Sequence, residues 1–394
     1  MSTLKKVRLG IEKFLLDPSK FVASGERVGL ICNQATVDSG FRHAADLFFE
    51  HPQINLTALF GPQHGIRGDV QDNMIETDHS TDRRTGLPVY SLYSETRIPT
   101  EAMLRDVDVI VFDLQDIGCR VYTFMYTMAY AMQAAVRDGK RIIVLDRPNP
   151  INGIDIEGNV LERGHESFVG LYPIPMRHGL TMGELAKLFN EEFGIGCRLE
   201  VVTCDGWSRE LYQDETNAPW VMPSPNMPTV DTAVVFPGTV WFEGTELSEG
   251  RGTTKPFETI GAPFINSFEF AQSMNAMSLP GVSFRAVEFI PTFQKCMDRN
   301  CGGVFLHVTD RREFKPVFTA LSMVKKLVEL YGVKVEWKKT PYEYVFDRNP
   351  FDVISGSTMV RQICEGGGSY EDLRNLCALG CGEFETLKKG FHLY

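Results

Sequence analysis

Five short stretches of this 394-residue chain gather side chains that can do acid, base or anion chemistry. The first is Gly61-Pro62-Gln63-His64-Gly65-Ile66-Arg67-Gly68-Asp69. Its glycines and proline enforce a tight, non-helical loop that lets a ligand approach the backbone closely. His64 is a candidate proton carrier there, and Arg67 a candidate anion partner. The second runs from Asp113 to Tyr122 and offers Asp116, Arg120 and Tyr122. A carboxylate, a guanidinium and a phenol together suit a sugar that bears an acid group. In the third, Asp146-Arg147-Pro148-Asn149-Pro150, two prolines stiffen the chain, so Asp146 and Asn149 are placed with little entropy left to lose. The fourth, Arg177-His178-Gly179, precedes Thr181, a helix N-cap by type. His178 then sits near a helix N-terminus, where the imidazolium is disfavoured and a neutral ring can bind a substrate oxygen.

The fifth stretch pairs Ser224-Pro225-Asn226-Met227-Pro228 with the run from Trp241 to Gly252, which holds Glu243, Glu246, Glu249 and Arg251. Apolar neighbours such as Trp241 and Phe242 raise a carboxyl pKa by desolvation, which is what a general acid at neutral pH needs. Trp241 is also a candidate platform for a sugar ring. Each of these groups has a structural alternative: a braced loop, a histidine bonded to backbone, a solvated carboxylate. No G-x-G-x-x-G, Walker A, H-E-x-x-H or G-x-S-x-G occurs, and no metal-ligand spacing is present. What remains is carboxylates, arginines, histidines and aromatics, and glycoside hydrolysis needs little else.

These stretches need a scaffold that brings them together. ERVGLICN, INLTALFG, DVIVFDLQ, KRIIVLDRPNP and CRLEVVTC are short apolar strands. FRHAADLFFEH, TEAMLRDV after the cap Thr100, YTFMYTMAYAMQAAVRDG and TMGELAKLFNEEFG are helical segments between them. That alternation predicts an α/β fold: a Rossmann-like parallel sheet covered on both faces, with ligands outside the carboxyl ends of its strands. Three of the polar clusters directly follow strands and converge on one such crevice. Residues 205–230, rich in Trp, Pro and Asn, form a long crossing segment that ends the first domain. We expect a catalytic domain over 1–228 and a smaller α/β or α+β domain over 229–394 that closes the cleft.

Length and composition bound the function. A chain of 394 residues, at roughly 150 per domain, suits two domains with a large core. The net charge of −11 and the lack of a basic stripe argue against nucleic-acid partners. No run approaches the roughly 18 apolar residues of a membrane span, and the N-terminus lacks an apolar signal-peptide core, so a cytoplasmic location is expected. The nine cysteines form no C-x-x-C and read as ordinary reduced thiols.

Taken together, LFGPQHGIRGD, TGLPVYSLYSETRIPT, DVIVFDLQDIGCRVYTF, IVLDRPNPING, PMRHGLTMGELAKLFNEE, PWVMPSPNMPT and FPGTVWFEGTELSEGRGTTKPFE resemble, in order, the exo-β-N-acetylmuramidases of bacterial peptidoglycan turnover. The resemblance runs from about Gly29 to Ile265 and is weaker beyond. It implies hydrolysis of a terminal β-1,4-linked N-acetylmuramic acid from the non-reducing end of peptidoglycan fragments, with no metal or organic cofactor. The partner is then a small saccharide or muropeptide, whose lactyl carboxylate needs a cation: Arg67, Arg120, Arg177 or Arg251. Many members read Gly-Pro-Glu-His-Gly where this chain has Gln63, which cannot transfer a proton. The expected catalytic group is therefore Glu243, supported by Asp116 and with His64 beside them. Glu76 and Glu157 are held in reserve as carboxylates. Gln63, Arg67, Glu76, Arg120, Tyr122, Asp146, Asn149, His178, Asn226 and Arg251 are expected to bind substrate. A non-catalytic muropeptide-binding homologue and a nucleotide-dependent enzyme are the alternatives.

Overall fold

The computed structural model describes residues 4–68 and 75–394; Asp69 of the first polar cluster lies outside the described residues. The first half alternates α1 (Gly10–Leu16), β1 (Arg27–Ile31), α2 (Ala44–Glu50), β2 (Asn55–Gly61), β3 (Ser80–Thr81), β4 (Pro88–Ser91), β5 (Val109–Phe112), α3 (Phe124–Arg137), β6 (Arg141–Leu145), α4 (Met182–Glu191) and β7 (Arg198–Val202). Among the described residues, seven strands form one sheet in the order β3-β4-β2-β1-β5-β6-β7. Every pair is parallel except β3 with β4, at the edge. The chain builds from β1 outward through β2 and β4, then returns to β5 and builds the other way. The switch point between β1 and β5 is where such sheets open a crevice at their carboxyl ends.

The sheet is buried on both faces, and the period-2 alternation of strands divides its side chains between them. Ile110, Phe112, Ile142 and Val144 join α3 and α4 in one core. Val109, Val111, Ile143 and Leu145 join α1 and α2 in a second. Helix ends follow local chemistry. Thr181 caps α4 in a reciprocal box: its hydroxyl accepts from Glu184 N at 3.3 Å, and Glu184 accepts from Thr181 N at 3.0 Å. Gly139, with φ of 64°, follows the C-terminus of α3. The segment after Thr100 departs from the expected helix. Met103 N bonds the Thr100 hydroxyl at 3.3 Å and Leu104 N its carbonyl at 3.1 Å, but only turns follow. Val107 N bonds the Leu104 carbonyl at 3.2 Å, a tighter turn that leads into the strand at Val109.

The second half contains α5 (Val230–Thr239), β8 (Thr259–Ala262), α6 (Ser267–Ala276), β9 (Val282–Phe289), β10 (Cys301–Val308) and α7 (Pro316–Tyr331), then short helices at Pro350–Ser355, Tyr370–Ala378 and Cys381–Lys388. Its sheet is antiparallel, in the order β8-β10-β9. The whole is thus a mixed α/β protein with a large, mostly parallel sheet and a small antiparallel one. Helices α5 and α7 touch at Gly238, where an added Cβ would lie 1.9 Å from the Pro316 carbonyl oxygen. The core on the α3 face continues without a break through α5, α7 and the small sheet. Among the described residues, no helix is long and apolar enough to cross a membrane.

Candidate active site

Beyond the carboxyl ends of the strands, loops from both halves line a narrow pocket with about 50 Å³ of free space. The loop after β2 supplies Gln63 and His64; the segment entering α3 supplies Val121, Tyr122 and Thr123; the crossing segment supplies Ser224 and Asn226. From the second half come Glu243, Arg251, Phe257, Tyr342 and Glu343. A second pocket, with about 70 Å³ of free space, adjoins it through Glu243, Arg251, Tyr342 and Glu343 and adds Glu249, Gln294, Lys295 and Lys338.

Glu243 is positioned by the end of α5. Pro237 removes a donor within that helix, which gives way after Thr239 to a tight turn over Val240–Gly244. Trp241 donates its indole N–H to the Pro237 carbonyl at 3.2 Å. Lys295 clamps the same turn, donating to the carbonyls of Phe242 at 2.8 Å and Thr245 at 3.0 Å. Arg251 Nη2 then meets Glu243 Oε1 at 2.7 Å, while the Tyr342 hydroxyl donates to Glu243 Oε2 at 2.7 Å. Arg251 also reaches Glu249 at 2.8 Å, and Lys295 reaches the other Glu249 oxygen at 2.5 Å. Burial pushes Glu249 up, but the charges of Lys295 and Arg251 outweigh it and bring its pKa to about 2.

Glu343 has the opposite environment. It lies in a two-residue turn closed by reciprocal backbone bonds between Tyr342 and Val345 at 3.1 and 2.9 Å. Both central residues, Glu343 (φ 43°) and Tyr344 (φ 66°), are left-handed, as a type I′ turn requires. Neither is glycine, so the turn stores strain of about 1–3 kcal/mol per residue that its surroundings must offset. They do so with Arg97, whose guanidinium lies 3.8 Å from the Tyr344 ring centroid and 4.7 Å from that of Tyr93. The Tyr93 hydroxyl donates to Glu343 at 3.0 Å and accepts from the Gln63 amide at 3.3 Å; Gln63 Oε1 accepts from the Thr123 hydroxyl at 2.7 Å. Burial, with the charge of Glu243, raises the Glu343 pKa to about 7, against the lowering effect of bonds from Tyr93 and Gln63. A carboxyl that keeps its proton near neutrality thus shares a cavity with one paired to an arginine. That is the division of labour between acid and counter-charge that glycoside chemistry uses.

Of the residues singled out in the sequence, Gln63, His64, Tyr122, Asn226, Glu243 and Arg251 line the cavity. Arg67 and Glu76 lie in a neighbouring groove along 61–91. Arg67 is paired with Asp82 at 2.5 Å, and Glu76 accepts from the Tyr344 hydroxyl at 3.3 Å. The others are placed as braces behind the lining. Asp116 accepts from Gly118 N at 2.7 Å and lies 3.2 Å from His178 Nε2, whose Nδ1 accepts from Leu180 N at 3.2 Å. Asp146 accepts from the Thr181 hydroxyl, Gly183 N and the Tyr394 hydroxyl at 2.7, 2.8 and 2.7 Å. Asn149 bonds the Leu180 carbonyl at 2.9 Å. Arg120, wholly buried, donates to four carbonyls, those of Asn159, Ile174, Ile354 and Ser355, at 2.7–3.1 Å. Arg177 binds the Ile151 carbonyl at 2.5 Å and Asp155 at 3.2 Å. Glu157 accepts from Val317 N and Phe318 N at 3.2 and 2.8 Å and so caps α7. Trp241 is no sugar platform: it is fully buried and packs edge-on against Phe351. Sequence reading missed Glu343, Tyr342 and the lysines. Their one signal was the aromatic pair around Glu343 in PYEYVF.

A two-sheet α/β scaffold with paired glutamates in a cleft at the strand ends is a fold and site suited to saccharide hydrolysis. The chain belongs to the exo-beta-N-acetylmuramidase NamZ family: the family's N-terminal profile matches residues 28–231 and its C-terminal profile residues 234–394. It is 48% identical over 389 residues to the peptidoglycan beta-N-acetylmuramidase NamZ of Bacillus subtilis, covering 99% of this chain and 92% of that one. Two crystal structures of DUF1343 family proteins from Bacteroides fragilis superpose with TM-scores of 0.88 and 0.78, at 37% and 27% identity. Each alignment covers 98% of this chain and 99% of the other.

Proposed function

We propose that this protein is an exo-acting glycosidase that releases terminal β-1,4-linked N-acetylmuramic acid from the non-reducing end of peptidoglycan fragments. The observation that carries the reading is the unlike pair of carboxyls, Glu343 and Glu243, in one cavity of a chain from this family. In this reading Glu343 gives its proton to the glycosidic oxygen as the bond breaks. Glu243, held at both oxygens by Arg251 and Tyr342, faces the positive charge that develops on the sugar. His64, in the same lining, takes a proton from the incoming water in this reading. Gln63 orients the Tyr93 hydroxyl that bonds Glu343. We read residues 1–228 as the catalytic domain and 229–394 as the domain that closes the cleft, and we place the enzyme in the cytoplasm, acting on imported fragments.

The test is release of N-acetylmuramic acid from N-acetylmuramyl-β-1,4-N-acetylglucosamine. Glu343→Gln is expected to lower kcat by about 10²–10⁴ with KM little changed, since the amide keeps the shape and loses the proton. Glu243→Gln is expected to lose a comparable factor. Full activity in Glu343→Gln removes the acid assignment. Binding without turnover in the parent protein favours a non-catalytic muropeptide-binding homologue, the reading to which Gln63 lends weight.

A further inference from the structure

The acid-bearing sugar of the proposed reaction needs a cation, and the arginines expected to supply it are engaged elsewhere. Arg120 and Arg177 are buried on backbone carbonyls, and Arg67 is paired with Asp82 outside the cavity. Arg251 holds two glutamates, and Lys295 holds Glu249 and two carbonyls. The adjoining pocket keeps one more cation. Lys338 has no carboxylate within ion-pair distance among the described residues; its ammonium lies 5.7 Å from the Tyr342 ring centroid. Its backbone is fixed beside the catalytic turn, because Lys338 N donates to the Gly244 carbonyl at 2.9 Å and Glu246 N to the Glu336 carbonyl at 2.9 Å. The ring below it is the one whose hydroxyl bonds Glu243.

Resting on the saccharide-hydrolase reading above, we propose that Lys338 receives the lactyl carboxylate of the substrate and so makes the cavity prefer an acid-bearing sugar to a neutral one. The pyranose lies at the mouth of the pocket lined by Gln63, His64 and Tyr122, and its carboxylate-bearing arm points past the shared wall of Glu243, Arg251, Tyr342 and Glu343 toward Lys338. Charge supports this division. The adjoining pocket is lined by Arg251, Lys295 and Lys338 against Glu243, Glu249 and Glu343. With Glu343 holding its proton, the cations are in excess, and a ligand carboxylate restores balance without a further partner from the protein. Lysine suits the task, since a single flexible ammonium can follow a carboxylate on a rotatable ether.

The test compares N-acetylmuramic acid with its lactyl methyl ester, which has the same shape without the charge. Calorimetry on the full-length parent is expected to show the acid bound at least tenfold more tightly than the ester. Lys338→Gln is expected to abolish that difference by weakening the acid alone, and Lys338→Arg to restore part of it. On the disaccharide, Lys338→Gln is expected to raise KM about tenfold and leave kcat nearly unchanged. Equal losses on acid and ester, or binding of neither by the parent, overturn the proposal. A parent that prefers the acid through Lys338 yet hydrolyses no disaccharide upholds the proposal and overturns the hydrolase reading instead.

Discussion

Glu343 differs from Glu243 in what surrounds it rather than in what it is. It is enclosed by tyrosines and an amide, whereas Glu243 is paired with a guanidinium. With a folded pKa of about 7, the acid form needed for protonating a leaving group is lost as pH rises. The rate should therefore fall above about pH 7, approaching tenfold per unit. A kcat/KM profile measures it, and Glu343→Gln should lack that limb. Gln63→Glu gives a sharper check. It replaces an amide that lowers the Glu343 pKa with a carboxylate that raises it, so the alkaline limb should move to higher pH. An unmoved limb would mean that Glu343 is not the group being titrated.

At the scale of elements, the site depends on α5 ending where it does. Gly238 lets α5 lie directly on the start of α7, and five residues later Glu243 enters the cavity. Gly238→Ala should cost about 1–3 kcal/mol by overpacking and displace the turn that carries Glu243. Urea unfolding should show the lost stability, and kcat should fall even at temperatures where the variant stays folded. The same elements explain what could be read in advance. The strands β1, β2, β5 and β6 are nearly unbroken apolar runs, so the parallel sheet and the crevice beyond it were legible, as were Gln63, His64 and Asn226 as lining residues in their glycine- and proline-stiffened loops. Glu343 was not. It stands in KKTPYEYVFD, where charged neighbours read as a solvated surface. Its burial comes from contacts with Tyr93, 250 positions earlier in the chain, and with Gln63, which lies earlier still. Arg120 misled for the converse reason: at a strand end beside Asp116 it looks like an anion receptor, and the carbonyls that claim it come from remote segments, one of them the helix at Pro350–Ser355.

At the scale of the whole molecule, Arg120 is a strut. Two of its carbonyl partners belong to the first half and two to the helix at Pro350–Ser355 in the second. Glu157, capping α7, ties the halves in the same way. Arg120→Lys keeps the charge but not the fork, and it leaves buried carbonyls unpaired. We expect a loss of about 3 kcal/mol or more in urea unfolding. In the folded fraction the KM for the disaccharide should be unchanged, whereas a substrate-binding arginine would raise it.

The Tyr394 hydroxyl, bonded to Asp146, lies 248 positions beyond its acceptor. It also accepts from Cys204 N at 2.8 Å, at the end of β7. On the ribosome, α1, β6 and β7 emerge and pair long before this phenol exists. The large sheet can therefore assemble during synthesis, yet one buried aspartate keeps a vacant bond until translation has passed through the whole second half. Full bonding of the first-made sheet thereby waits on a residue that lies beyond the second half's own helices and sheet.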